Sequence, residues 1–110
     1  MLYSKEQQQT AIEGSQKISE QETFKNFLKK YVDVWSNLGK LAGFTTEEIR
    51  AYATLLAWVD VSKLLEQSND EEGALISSTI VWMYWNTDYC PEFASAINKK
   101  TNYMSKVSKG

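Results

Sequence analysis

Apolar side chains recur at helical spacing through most of this chain, and that period limits the folds open to it. Between residues 24 and 38 they follow the order i, i+3, i+4, i+7, while the lysines and Asp33 fall off the stripe (Phe24, Phe27, Leu28, Tyr31, Trp35 and Leu38). We therefore predict a long first helix over about residues 20–41. Ser19 and Glu22 have the spacing of a capping box at its start, and Gly39 or Gly43 can end it.

Three further helices are predicted downstream. Thr45 and Glu48 have the spacing of a second capping box, and the helix that follows has an apolar face wide enough to need neighbours on two sides. Residues 79–85 are rich in strand-forming types, yet no second strand pattern lies nearby to pair with them, so we expect a helix there too, over about residues 71–86. Pro91 fits the first turn of a short fourth helix, because its missing amide hydrogen is not needed there.

These patterns predict an all-α fold, a single small antiparallel bundle of three long helices plus a short fourth. Residues 1–18 are poor in core-forming types and are expected to be a polar arm, flexible or partly helical. Residues 19–98 form the bundle domain in this interpretation. Residues 99–110 carry lysines, serines and a terminal glycine without any acid, which is typical of a basic, solvated tail.

The composition argues against most enzyme chemistry. Histidine is absent, which removes the usual general base near neutral pH and the most common transition-metal ligand. The five glycines are scattered singly, so there is no glycine-rich phosphate loop. We expect a protein that is not an enzyme and has no catalytic residues, metal, cofactor or small-molecule substrate.

The single cysteine, Cys90, cannot form an internal disulfide, and a reducing, cytoplasmic location is expected. The first residues are polar where a signal peptide would be apolar, and no apolar run is long enough to span a membrane, so no membrane contact is expected. Cys90 lies at a predicted helix start, where the helix dipole can lower a thiol pKa. Burial as a small apolar residue is the favoured alternative.

Charge is distributed unevenly along the chain. No lysine or arginine occurs from Leu64 to Asn98, and this segment contains a cluster of aromatic residues. Trp82 and Trp85 are three residues apart and Tyr89 follows, so an outward-facing set would form an aromatic anchor for another protein, either a second copy or a different chain. Burial of both tryptophans in the core is the alternative. The acidic segment would favour a basic or apolar partner.

A second hypothesis uses the basic residues instead. Lys25 and Lys29 share one side of the first helix, Lys30 is close to them, and the tail begins with Lys99 and Lys100. Lysines can neutralise nucleic-acid phosphates without reading bases, so such binding would be independent of sequence and sensitive to salt. An ordinary solvated face is the alternative explanation of the same residues.

The preferred hypothesis is a non-catalytic protein-interaction module, an accessory subunit or regulator within a larger assembly. In shape alone, a small helical unit with one lysine face and one partner face resembles the small subunits of multi-subunit CRISPR effector complexes, which is the alternative in which the lysines contact nucleic acid. It resembles equally the small phage or plasmid regulators that dock onto a host protein. Likeness of fold does not transfer function, so no residue role follows from either resemblance.

Overall fold

The computed structural model describes residues 3–86 and 88–109, which form five helices and no strand. The prediction of an all-α fold is confirmed. None of the described helices is long and apolar enough to cross a membrane. In chain order the helices are α1 (Lys5–Ser19), α2 (Glu22–Ala42), α3 (Thr46–Gln67), α4 (Glu71–Asn86) and α5 (Pro91–Lys109).

Helix α3 packs against three other helices, α2, α4 and α5. Its buried side chains lie on several sides of the helix, as its wide apolar pattern predicts, and Ala53 and Ala57 have no exposed surface. These small residues let neighbouring helices approach α3 closely. The helix is therefore the common support on which the other elements are placed.

The connection between α2 and α3 is built from local interactions. Gly43 ends α2 in the left-handed conformation, with φ of 81°, which glycine adopts without the clash of a Cβ atom. Thr45 Oγ1 then accepts a hydrogen bond from the Glu48 amide at 3.2 Å. Glu48 Oε1 accepts one from the Thr45 amide at 2.7 Å, which confirms the predicted capping box.

Helix α1 occupies the region where the sequence predicts a flexible or partly helical arm. Its own capping box joins Ser4 and Gln7, a pair that the sequence interpretation overlooks. The predicted capping box of Ser19 and Glu22 is wrong, because Ser19 is the last residue of α1 and bonds back to Gln16. The cap of α2 is Gln21, whose side chain makes no capping hydrogen bond.

Helix α1 packs mainly on α4, and the contact is closest at Gly14. A Cβ atom at this position would lie 2.5 Å from Cδ1 of Ile76, well inside van der Waals distance. Ala11 and Ile18, one turn or so to either side, are both buried. With few large apolar residues of its own, α1 is therefore held by close approach of the two helix backbones.

Replacing Gly14 with leucine is expected to lower the free energy of unfolding by about 1–3 kcal/mol, because the new side chain has no space against Ile76. The gain in helix propensity would offset less than about 1 kcal/mol of this. The measurement is urea unfolding followed by circular dichroism. The control is Gln16→Leu, the same new side chain at an exposed position of α1. A Gly14→Leu midpoint at or above that of the control would contradict the prediction.

Helix α5 is longer than the predicted short fourth helix and includes residues 99–109 of the predicted tail. The apolar spacing that begins at Phe93 and Ile97 continues at Met104 and Val107, so one face of a single helix accounts for both parts. Lysine is a good helix former, and positive charge near a helix C-terminus is favourable. Both effects allow residues 99–109 to be helical, although their composition alone predicts a solvated tail.

The core consists of two clusters. The first joins α1, α2, α3 and α4, and the second joins α2, α3 and α5 with the residues between α2 and α3. Val81 and Tyr84 of α4 pack against both clusters and so connect them. The buried members of the first are Ala11, Ile18, Phe24, Ala57, Trp58, Val61, Ile80 and Met83, and those of the second are Phe44, Ile49, Ala51, Tyr52, Leu55, Phe93 and Ala96.

Candidate interaction surface

Two large aromatic side chains lie exposed where α4 ends and α5 begins. Trp85 is 57% exposed and Tyr89 is 42% exposed. Each ring meets a more buried ring edge-on: Trp85 lies 5.1 Å from Phe93 and Tyr89 lies 5.4 Å from Tyr84, measured between ring centroids. We call Trp85 and Tyr89, with Tyr84 and Phe93 beneath them, the aromatic surface.

The helices fix these rings in place. Phe93 is 2% exposed and lies in the first turn of α5, where its amide donates to the Cys90 carbonyl at 3.2 Å. The Tyr84 and Phe93 rings are 5.8 Å apart and nearly perpendicular, so the floor of the surface belongs to the second core cluster. The rings beneath Trp85 and Tyr89 are therefore already packed in the free protein, and a partner would not have to order them on binding.

Trp82 lies apart from the other two predicted partner residues. It is half-buried, packs against the first core cluster, and meets the Tyr3 ring edge-on at 5.1 Å. Of the three, only Trp85 and Tyr89 contact the ring pair formed by Phe93 and Tyr84, Trp85 through Phe93 and Tyr89 through Tyr84. Trp82 supports the α1 side of the molecule.

Two acidic residues lie close to the aromatic surface. Asp88 and Glu92 are both exposed and lie on either side of Cys90 in the sequence. The Cys90 thiol donates to Glu92 Oε2 at 3.6 Å, and burial raises the thiol pKa. The helix dipole would lower the thiol pKa, but burial favours the neutral thiol and has the larger effect. Burial also raises the pKa of the Tyr84 and Tyr89 hydroxyls, so both are neutral at physiological pH.

The five lysines of the nucleic-acid hypothesis have different environments. Lys25, Lys29 and Lys30 are exposed on α2, with the Lys30 ammonium 5.2 Å from the centre of the neighbouring Tyr31 ring. Lys100 donates to the Tyr52 hydroxyl at 2.6 Å and lies over the rings of Trp35 and Tyr52.

Lys99 is committed to a buried carboxylate. Its ammonium donates to Glu48 Oε1 at 2.6 Å and to the Gly43 carbonyl at 3.0 Å, and so joins α5 to the connection between α2 and α3. Ser95 Oγ, one turn earlier on α5, donates to the other oxygen of Glu48. Lys99 and Ser95 are i and i+4 neighbours on one face of the helix, which lets both reach the same carboxylate.

Glu48 is ionised although it is buried. Burial alone would raise its pKa, but hydrogen bonds from Lys99, Ser95 and Thr45 lower it to about 2. Sequence reasoning assigns Glu48 to the capping box and misses Lys99 and Ser95, which lie 51 and 47 residues away. No local pattern relates residues at such separations. The group has every oxygen occupied, and its role is to hold the helices together.

Two grooves border α1. One, of about 430 Å³, has Glu13, Lys17, Asp70 and Glu72 among its lining residues. The other, of about 200 Å³ between α1 and α4, is lined by uncharged side chains apart from Glu6, its one carboxylate. Within the described ranges no three Cys, Asp or Glu side chains are placed to hold a metal ion.

Comparisons with protein-family models, with curated proteins and with solved structures found no match to this chain. The evidence on its function therefore comes from the surfaces of the folded chain.

Proposed function

We propose that this protein is a non-catalytic interaction module, an accessory subunit or regulator in a larger assembly, whose partner binds the aromatic surface. The exposure of Trp85 and Tyr89 on a packed aromatic base carries the proposal. Tryptophan and tyrosine are enriched among the residues that dominate binding energy at protein interfaces. An exposed tryptophan supplies a large apolar area that a partner can cover.

Charge supports a partner that is basic or apolar. Asp88 and Glu92 border the aromatic surface, and the segment that contains it has no lysine or arginine from Leu64 to Asn98. Such a rim would attract a basic partner during encounter, while the aromatic rings would supply most of the affinity. A cytoplasmic setting and antiparallel packing of neighbouring helices, which the short connections favour, belong to the same proposal.

Binding to a nucleic-acid backbone is the weaker proposal. Lys99 and Lys100 donate to groups of their own chain, so a phosphate would have to compete with Glu48 and with the Tyr52 hydroxyl. Lys25, Lys29 and Lys30 remain exposed, but three lysines on one helix would neutralise few phosphates. The arrangement of the lysines therefore favours the protein partner.

Differential capture tests the proposal. Tagged wild-type chain, a Trp85→Ala/Tyr89→Ala variant and a Val34→Ala/Leu41→Ala variant would serve as baits in cells that make the protein naturally. The control pair is also apolar and exposed, but lies on α2. We expect the wild type and the control to retain the same bound protein and the aromatic variant to lose it. Equal capture by all three baits would contradict the assignment of the aromatic surface.

A further inference from the structure

The end of α5 carries a second exposed apolar surface. Met104 is 52% exposed and Val107 is 56% exposed. Met104 lies eleven residues after Phe93, and Val107 lies eleven after Ala96, which is about three helical turns and places all four on one apolar stripe. Phe93 and Ala96 are buried in the second core cluster. The stripe therefore extends beyond the part of α5 that the rest of the bundle covers. We call residues 99–109 the basic end of α5.

The two ends of α5 have opposite charge. Glu92 is the last acidic residue of the chain, and four lysines follow it (Lys99, Lys100, Lys106 and Lys109). Lys99 and Lys100 donate to Glu48 and to the Tyr52 hydroxyl of their own chain, so the positive charge available to a partner is that of residues 104–109. The aromatic surface at the start of the helix is bordered by Asp88 and Glu92, as described above. The start of α5 thus combines exposed apolar groups with negative charge, and the basic end combines them with positive charge. The two ends are therefore complementary in charge.

The helix itself keeps these complementary surfaces apart within one molecule. Helix α5 is continuous from Pro91 to Lys109, and a rise of 1.5 Å per residue places Glu92 and Val107 about 22 Å apart along its axis. The basic end therefore cannot fold back onto the aromatic surface of its own chain. A second copy can supply it, because two α5 helices side by side in antiparallel orientation bring each basic end to the other's aromatic surface.

We propose that the partner at the aromatic surface is a second copy of this chain, bound through the basic end of α5 in a reciprocal dimer. This inference rests on the proposed function and names the partner. Met104 and Val107 of each copy cover Trp85 and Tyr89 of the other, and Lys106 faces Asp88 and Glu92. The two contacts are identical and form together, so assembly stops at two chains.

Sedimentation and light scattering over a range of concentrations test the dimer. We expect a dimer that weakens at high salt, because the charges at its rim become screened. Trp85→Ala, and separately Met104→Ser/Val107→Ser, should each raise the dimer dissociation constant by about 30-fold or more, as expected for central interface residues. Val34→Ser/Leu41→Ser, which removes exposed apolar groups from α2, should leave it unchanged.

Exchange of charge provides a sharper test. The variant Asp88→Lys/Glu92→Lys has two basic surfaces, and Lys106→Glu/Ser108→Glu changes the formal side-chain charge of residues 104–109 from +2 to −1. All four positions are exposed. Each variant alone should be monomeric, whereas an equimolar mixture should form a heterodimer, because both reciprocal contacts are then complementary. Circular dichroism of each variant checks that the helices are retained. A mixture that remains monomeric would overturn the reciprocal arrangement.

The outcomes separate the two proposals. A wild-type chain that stays monomeric at every concentration and salt overturns the dimer, as does a dimer that tolerates both Trp85→Ala and Met104→Ser/Val107→Ser. The proposed function would survive either result if another protein is still captured in a Trp85-dependent manner. It fails together with the dimer only if the Trp85→Ala/Tyr89→Ala bait behaves as the wild type does.

Discussion

Phe93→Ala is expected to lower the free energy of unfolding by about 3–5 kcal/mol, the range for deletion of a buried phenylalanine side chain. The side chain is almost fully buried and its ring meets Tyr52, Tyr84 and Trp85. Its loss would leave a cavity beneath the aromatic surface and remove a buried α5 side chain from the second core cluster. Chemical unfolding followed by circular dichroism measures the effect.

Trp85→Ala is the matched control, since it truncates the exposed partner of the same ring pair. We expect it to cost about 1 kcal/mol or less, because more than half of Trp85 is already in water. If Phe93→Ala unfolds the protein completely, Phe93→Leu keeps most of the volume and should cost about 1.5 kcal/mol. Equal destabilisation by Phe93→Ala and Trp85→Ala would contradict the division between a structural base and an exposed binding residue.

Lys99→Met is expected to lower the free energy of unfolding by about 2 kcal/mol. Removing one member of a fully buried ion pair costs about 3–5 kcal/mol, but the Lys99 side chain is about one-third exposed and water screens part of the charge. The variant leaves the Glu48 carboxylate buried with its hydrogen bonds from Ser95 and Thr45 but without the ammonium. Lys106→Met, on the exposed part of the same helix, should change stability by less than about 0.5 kcal/mol.

Acid should abolish the difference between Lys99→Met and the wild type. The Glu48 pKa is about 2 in the folded protein against 4.5 for a free carboxyl, so its ionised form stabilises the fold above pH 4.5 and this stabilisation is lost as pH falls toward 2. Without the ammonium the folded-state pKa is higher, and the variant loses less on acidification. Unfolding measured from neutral pH to pH 2 checks this. A constant gap over that range would show that Lys99 acts through packing of its aliphatic stem.

The helices were predictable where their signals are local. The apolar period of residues 24–38 predicts α2 with ends one or two residues from those observed, and the Thr45 and Glu48 pair marks the start of α3 correctly. The contact of α1 with α4 at Gly14 and Ile76 was not predicted. That contact joins residues 62 positions apart and leaves no trace in the periodicity of α1.

The candidate surface was predictable only in part. The spacing of Trp82 and Trp85 places both near one side of α4, but it does not show which other helices cover that side. In the folded chain Tyr3 packs on Trp82, whereas Trp85 is left exposed beside Phe93. The sequence also places Lys99 and Lys100 in a predicted tail. In the fold, α3 and the connection before it supply the groups to which they donate.

Composition shows which side-chain types this chain lacks, and short-range spacing predicts the class of its fold. A chain without histidine lacks the usual general base whatever its fold. Helical periods and capping boxes involve residues only a few positions apart, so spacing in the sequence determines which side chains meet. Exposure and pairing are different, because they depend on which distant segments meet. Packing of α5 across α3 gives Glu48 its cation and sets Phe93 beneath Trp85, and only the folded arrangement of the helices contains that information.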